Sequence, residues 1–566
     1  MTYSPPVEEQ KFLLRHIVGI EELAGHNAFS EASADVVDAI IEGAGAFAAG
    51  EFAPLNRVGD QVGAKWSPEG VTLPAGFRDA YRAYVEGGWG TLAGPPQYGG
   101  QGLPLSLASV VMEDLGSANM AFSLVMMLTP GAVEALKHHG SQALKQQWLP
   151  KLITGECTGT MNLTEPQAGS DVGALKTRAI PAGDGTYRIS GQKIFITFGE
   201  HDLTDNIVHL VLARLPEAPP GTKGISLFLV PKILPDGTRN DVRCVSIEHK
   251  LGIHASPTCV MSYGDEGGAV GWLIGQENGG MRAMFTMMNN ARLNVGLQGV
   301  SIAERATQQA VAFARERVQG MREGRPTRII EHPDVRRMLL RMKALTQAAR
   351  ALAYYTAGQT DRASLGDEAA KARADLLTPL VKAYGTDVGV EVTSLALQVH
   401  GGMGYVEETG AAQHYRDARI SPIYEGTNGI QAADLVGRKL ELEGGETLRR
   451  LIAEMRGDSH QQHNLMQLID RCEGVAEALP AQPMDDRLGA SYPFLTMLSA
   501  AVSGWLMSRQ AAVLGSRDAD PAFAEMKLAA TRFYLDQLVP EAEGLFAAAM
   551  AGSQLLYSVN EEAFAA

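Results

Sequence analysis

The sequence predicts a mainly α protein with a central β-domain, and three observations carry that reading. Apolar residues recur every three or four positions from Gln10 to about Leu152. The period shortens to about two after Thr158, and the helical period returns at Gly279 and runs to about Leu442. A chain of 566 residues, at about 150 residues per domain, has room for three to four units. They are expected as an N-terminal helical domain over 1–158, a middle β-domain over 159–278, a helical bundle over 279–443 and an appended helical domain over 444–566.

In the first domain, Phe12, Leu13, His16, Ile17 and Ile20 share one helical face, and 36–47 repeats the pattern. The glycines and prolines of 93–102 cannot continue a helix. Gly99-Gly-x-Gly102 could suggest a phosphate cradle, but no strand precedes it as a dinucleotide fold requires, so a structural turn is favoured. The apolar stretch 120–136 contains Pro130 and Glu134 and falls short of the roughly 20 residues that span a bilayer. In the β-domain, strands are expected at 176–182, 187–197, 207–213, 225–230 and 244–248, with the first two joined by the Gly183-Asp-Gly185 turn. Four or five long helices should form the bundle, with breaks at 320–326, Gly366 and 401–404. Helical stretches at 448–455, 464–478, 494–514 and 522–549 make the appended unit.

Charge and cysteine content narrow the function. Lys and Arg total 49 against 64 Asp and Glu, a net −15, which repels nucleic acid and anionic membranes. From Glu441 onward there are 9 basic and 18 acidic residues, so this region holds more than half of the excess. Cys157, Cys244, Cys259 and Cys472 form no CxxC pair, so neither a disulfide framework nor a zinc site is indicated. Pro5, Pro6, Glu8 and Glu9 stand where a signal peptide would need basic and then apolar residues. A cytoplasmic protein is expected. His138, His139 and His254 lack a second ligand at metal spacing.

Two segments can carry chemistry. Met161-Asn-Leu-Thr-Glu-Pro-Gln-Ala-Gly-Ser-Asp171 offers backbone amides and hydroxyls to a planar polar ring or a pyrophosphate; a Ser/Asp-rich turn is the plain alternative. In Arg416-Asp-Ala-Arg-Ile-Ser-Pro-Ile-Tyr-Glu425-Gly-Thr-Asn-Gly-Ile-Gln431, one carboxylate has Ile423, Tyr424 and Ile430 as neighbours. Apolar surroundings raise a carboxylate's pKa toward that of a useful base, and Gly426 and Gly429 let backbone approach a ligand. Taken alone, the segment reads equally as a solvated glutamate at a helix start.

Together and in this order the two segments resemble the acyl-CoA dehydrogenase family of flavoproteins, whose first motif reads T-E-P-x-A-G-S-D and whose last reads I-Y-E-G-T. Further likenesses are Phe195-Ile-Thr197, Lys250-Leu-Gly-Ile-His-Ala-Ser-Pro-Thr258, Leu273-Ile-Gly-Gln-Glu-Asn-Gly-Gly-Met281 and Gln398-Val-His-Gly-Gly-Met-Gly-Tyr405. The resemblance covers about 80–440. Length, the Tyr3-Ser-Pro-Pro-Val7 opening and the extra helical C-terminus are similar to a longer branch of the family.

The resemblance implies FAD-dependent α,β-dehydrogenation of an acyl-CoA to the 2,3-enoyl-CoA. It makes Glu425 the base and, through its amide, a donor to the thioester carbonyl. Some relatives place the base where this chain has Ala291, which cannot serve. FAD contacts carry over to Leu163, Thr164, Gly169, Ser170, Phe195 and Thr197. From a neighbouring subunit they carry over to Arg317, Gln398 and Gly402, with Thr427 and Gly429 after the base. Acyl-CoA contacts carry over to Ser170, Arg292, Tyr424 and Gly426, with Asn289 replacing a frequent Asp. The chain departs from the family at Val318-Gln-Gly320 and at Gly429, where many relatives have Gln. Met126, Met127, Met284, Met287 and Met288 could line an acyl pocket, although core filling is favoured. The implied acyl group is 3-(methylthio)propanoyl, as in dimethylsulfoniopropionate degradation, or a medium or long fatty acyl chain. The implied acceptor is an electron-transfer flavoprotein, and the implied assembly a homodimer. A non-catalytic, DNA-binding relative of the alkylation-response type is the rival, and the acidic C-terminal region argues against it.

Overall fold

The computed structural model describes residues 3–514 and 520–566. The N-terminal third is helical, including α1 (Leu105–Ala118) and α2 (Met120–His139). Unlike the sequence expectation, it contains a small antiparallel hairpin, Lys65–Ser67 with Gly70–Thr72. Helix α2 runs on past Leu136 to 20 residues, with a mean hydropathy of 1.3 over its most apolar window. Its length and composition would suffice to cross a bilayer, but 78% of that window is buried inside the protein, so α2 is a core helix. The 93–102 segment is a loop with one short turn at Pro96–Tyr98.

Among the described residues the β-domain has eight strands: β1 (Cys157–Asn162), β2 (Arg178–Pro181), β3 (Tyr187–Thr197), β4 (Asn206–Arg214), β5 (Ile225–Pro231), β6 (Val242–Ile247), β7 (Thr258–Tyr263) and β8 (Ala269–Ile274). They pair in the order β8-β5-β4-β2-β3-β7-β6, with β1 parallel to β4; β8 also pairs with β3, which closes a ring. The β2–β3 hairpin turns through Gly183 and Gly185, both at φ 85°, where a side chain would be strained. Three of these strands, β1, β7 and β8, were not expected from the sequence. Strand β1 is buried on both faces, so it shows no alternation, while β7 and β8 are short and irregularly buried.

The bundle comprises α3 (Gly280–Glu316), α4 (Pro333–Ser364), α5 (Glu368–His400) and α6 (Asn428–Gly437). The expected break at 320–326 is an antiparallel hairpin, Val318–Arg322 with Arg325–Arg328. Helices α3 and α5 nearly touch through backbone: a Cβ at Gly299 would lie 1.9 Å from the Gly385 carbonyl oxygen. Only glycine permits this approach.

The appended unit includes α7 (Met484–Leu514) and α8 (Pro521–Phe533). The expected helix over 522–549 is broken after α8, where a π-turn, Tyr534–Leu538, leads to two short helices, Val539–Glu543 and Phe546–Ala549. The unit is docked on the rest of the chain: Trp505 packs edge-on against Tyr355 at 5.4 Å, and buried Tyr384 and Tyr534 share a 2.6 Å hydrogen bond. Buried Lys527 of α8 pairs with Glu9 near the N-terminus.

Candidate active site

Glu425 sits on a loop between a short helix, Ala411–Ala418, and α6. The loop is closed by the Asn428 amide donating to the Pro422 carbonyl at 3.0 Å. Glu425 and Gly426 both lie in the left-handed region, at φ 56° and 83°, a backbone state that costs a non-glycine residue about 1–3 kcal/mol and tends to persist at functional sites. The twist leaves the Glu425 amide without an acceptor among the described residues. Glu425 is therefore no helix-start glutamate: Thr427 caps α6, its hydroxyl accepting from the Ile430 amide at 3.2 Å.

The side chain of Glu425 keeps some contact with solvent, yet protein crowds it from every side. Burial pushes its pKa up to about 7, opposed by the charges of Arg292 and Lys382. Of the expected apolar neighbours, Tyr424 is partly buried while Ile423 and Ile430 are 49% and 41% exposed. Helices α3 and α5 beneath the loop add to the burial. Arg292 of α3 is buried, lies 3.6 Å from Asp434 of α6, and stands under Gly426, where an added Cβ would meet its guanidinium at 3.8 Å. Tyr424 donates to Gln298. Lys382, fully buried on α5, donates to Asn428 Oδ1 at 2.9 Å. A lone lysine on a helical pattern reads as solvent-facing, so nothing in the sequence singled it out. Ala291 is buried and inert.

The second cluster stands on the β-domain. Glu165 is buried and binds the amides of Lys176 and Thr177, the Thr177 hydroxyl and the Lys193 ammonium, the last at 2.8 Å. Lys193 also donates to the Leu163 carbonyl at 3.0 Å, and the Ile194 amide donates to Thr164. These bonds staple the 163–171 loop to β3. Glu165 lies within the 161–171 motif but is marked there by no role of its own, and nothing in the sequence pattern marks Lys193. A bulge in β3 opposite β7 holds Phe195 at φ 60° and turns it outward, 58% exposed. Nothing fills the space over Gly169, and Ser170 is exposed. An outward aromatic ring on β3, beside a loop that carries Thr164, Gly169 and Ser170 and is tied to that strand, suits a flat, polar-edged flavin ring.

Other predicted residues lie elsewhere. Arg317 caps the far end of α3, twenty-five residues from Arg292, or about 37 Å along a straight helix. Gln398 and Gly402 are exposed at the end of α5, which meets that same end of α3 through Phe313 stacked on His400 at 4.5 Å. This group therefore lies at the end of the bundle opposite Arg292. Asn289 is exposed near the start of α3, and Gly429 is exposed in the first turn of α6.

An apolar cavity of about 100 Å³ lies between α1, α2 and α3, lined by Tyr84, Trp89, Val125, Met126, Asn290 and Asn294 among others. Met126 lines it, while Met127, Met284 and Met287 are buried in the core. Neither this cavity nor a larger opening of about 770 Å³ near Lys11 and Phe523 is lined by a residue of either cluster.

Comparison with known proteins accords with this arrangement. Family profiles match in chain order: "Acyl-CoA dehydrogenase, N-terminal domain" at 37–156, "middle domain" at 160–265, "C-terminal domain" at 278–440, and "Acetyl-CoA dehydrogenase C-terminal like" at 451–560. A 3-methylmercaptopropionyl-CoA dehydrogenase of Ruegeria pomeroyi is 46% identical over 96% of this chain and 97% of its own. A butyryl-CoA dehydrogenase of Syntrophomonas wolfei is 34% identical over 99% of each. An acyl-CoA dehydrogenase from Bacillus anthracis, solved with FAD, shares the fold at TM-score 0.76 and 22% identity over 95% of this chain and 91% of its own. The chain, matched from its N-terminal helices to its appended domain, belongs to the acyl-CoA dehydrogenase family and is a FAD-dependent acyl-CoA oxidoreductase.

Proposed function

We propose that Glu425 is the general base of acyl-CoA α,β-dehydrogenation and that the preferred acyl group is short, of the 3-(methylthio)propanoyl class. The observation that carries the first half is the strained Glu425, crowded by protein, with its carboxylate raised to about 7 and its amide unpaired. A base poised near neutral pH holds its proton weakly enough to turn over and strongly enough to take one. The free amide donates to the thioester carbonyl as charge builds there. Arg292, paired with Asp434, stands beside Gly426 and adds positive charge next to the Glu425 carboxylate. FAD, when bound, accepts the β-hydride. Leu163, Thr164, Gly169, Ser170, Phe195 and Thr197 hold its ring, and Tyr424 and Ser170 border the acyl-CoA.

The 3-methylmercaptopropionyl-CoA dehydrogenase of R. pomeroyi, 46% identical over nearly the whole chain, supports the second half. A panel of FAD-loaded assays with butanoyl-, octanoyl-, palmitoyl- and 3-(methylthio)propanoyl-CoA should give the highest kcat/KM for the methylthio substrate; a maximum at palmitoyl-CoA refutes the short acyl group. An electron-transfer flavoprotein is the proposed acceptor, and reoxidation by air as fast as by that protein refutes it. The free thiols of Cys157, Cys244, Cys259 and Cys472 suit the reducing cytoplasm.

We also propose a homodimer. Arg317, Gln398 and Gly402 stand together at the far end of α3, roughly 37 Å along a straight helix from Arg292, which suits contact with the FAD of another copy. The appended unit covers bundle surface at Tyr355 and Tyr384, and in this proposal that surface is the one which would otherwise make a second dimer contact. Light scattering is expected at twice the 60.5 kDa chain mass; a tetramer refutes the blocking role, and a FAD-saturated monomer refutes the shared site.

A further inference from the structure

Behind the Glu425 loop runs a chain of buried polar groups that reaches the appended domain. Lys382 on α5 is fully buried, and Asn428 Oδ1 is its one hydrogen-bond acceptor among the described residues. The Asn428 amide group turns the other way, donating to Asp387 Oδ1 at 2.8 Å and to the Thr386 hydroxyl at 3.0 Å. The second oxygen of Asp387 accepts from Tyr492 at 2.6 Å. Tyr492 belongs to α7, in the appended unit.

A buried ammonium with a single neutral acceptor is costly unless an opposite charge compensates it. The anionic groups that act on Lys382 are Glu425 on the loop and Asp387 on its own helix; Arg292, from α3, opposes them. Asp387 in turn is acted on by Lys382, by Arg419 at the start of the loop and by the Tyr492 hydroxyl. Arg292 is held by Asp434 of α6, while Tyr424 and Arg292 complete the set around Glu425.

We propose that Lys382 is a positioning residue that sets the proton affinity of Glu425, and that Tyr492 of the appended domain braces it through Asp387 and Asn428. The appended unit thus acts on the catalytic loop as well as covering surface. Burial pushes the Asp387 carboxyl up, and the hydrogen bond from Tyr492 opposes that and favours its charged form; Asp387 orients Asn428, and Asn428 keeps the Lys382 ammonium beneath the loop. Burial lowers Lys382 to about 7, against the pull of Glu425 and Asp387, so its charge is sensitive to small changes in these partners.

This inference rests on Glu425 being the base. The test is the pH dependence of anaerobic flavin bleaching by substrate in folded, FAD-loaded enzyme, with melting temperature and FAD content as controls. Lys382→Gln keeps a polar contact to Asn428 and removes the charge. Its acidic limb should move up by about one pH unit, so that bleaching is roughly tenfold slower at pH 6 and near wild type at pH 9. Lys382→Arg should restore the limb. Tyr492→Phe, at a half-exposed site that tolerates the change, should move the limb in the same direction by about half as much. An unmoved limb in Lys382→Gln overturns the proposal. If that variant does not fold, an unmoved limb in Tyr492→Phe does so, and a shift in Lys382→Gln alone overturns the role of the appended domain. Bleaching at wild-type rate in Glu425→Gln would instead refute the assignment of the base, so the two failures are distinguishable.

Discussion

Glu425→Gln should give a folded, yellow protein whose flavin acyl-CoA no longer bleaches. The amide occupies the same volume, so the left-handed turn at 425–426 and the backbone donor survive, but it cannot accept the α-proton. Loss of a positioned base costs about 10²–10⁴ in rate. The upper end is expected, because Ala291 at the alternative position offers no second carboxylate. The wild-type rate should rise about tenfold per unit up to pH 7 and level off above, following the carboxylate raised to about 7, while the residual rate of the variant should be flat. Stability gives an independent readout. A folded-state pKa above the usual carboxylate value means that the folded chain binds more protons than the unfolded chain between about 4.5 and 7. Wild-type stability therefore falls as pH rises through that window. The variant should lose less of its melting temperature between pH 5 and 8. A variant that bleaches at the wild-type rate would end the assignment.

How far the sequence foretold this site depends on what each residue needs around it. Strand β3 is legible to its ends because Gly183 and Gly185 mark its turn and its residues alternate. Strand β1 is invisible, since both its faces are buried and it follows a helix with only a short turn between. Glu425 is legible from its motif, and its raised pKa follows from burial, to which α3 and α5 add a tertiary part that neighbours in the chain do not show. Lys382 is forty-three residues from Glu425, and only the glycine-mediated approach of α3 and α5 brings it beneath the loop. For Arg317, Gln398 and Gly402 the resemblance implied contact with a neighbouring subunit's FAD, and the length of α3 between Arg292 and Arg317 accords with a separate location for them.

The largest structural effect should come from Lys193→Met, a residue that touches no reacting atom. Lys193 and Glu165 are almost fully buried, with side chains 0% and 4% exposed. For Glu165, burial alone would raise the pKa, but the Lys193 charge and the donors of Thr177 and Lys176 hold it down to about 2. For Lys193, burial wins over the attraction of Glu165 and lowers the ammonium to about 8. The two ends differ because Glu165 has several donors while Lys193 has one carboxylate and one carbonyl, so the carboxylate is the firmer charge. Methionine fills the space but leaves that carboxylate without a cation. Removing one partner of a buried ion pair typically costs about 3–5 kcal/mol. The cost should be felt locally as well, because Lys193 also holds the Leu163 carbonyl and so pins the loop carrying Thr164, Gly169 and Ser170. The expected result is a lower melting temperature together with FAD lost on gel filtration, partly recovered when free FAD is added in excess. The double variant Glu165→Gln, Lys193→Met removes both charges and should be more stable than the single change. A single variant with wild-type melting and full FAD retention would show that the staple does not hold the flavin loop.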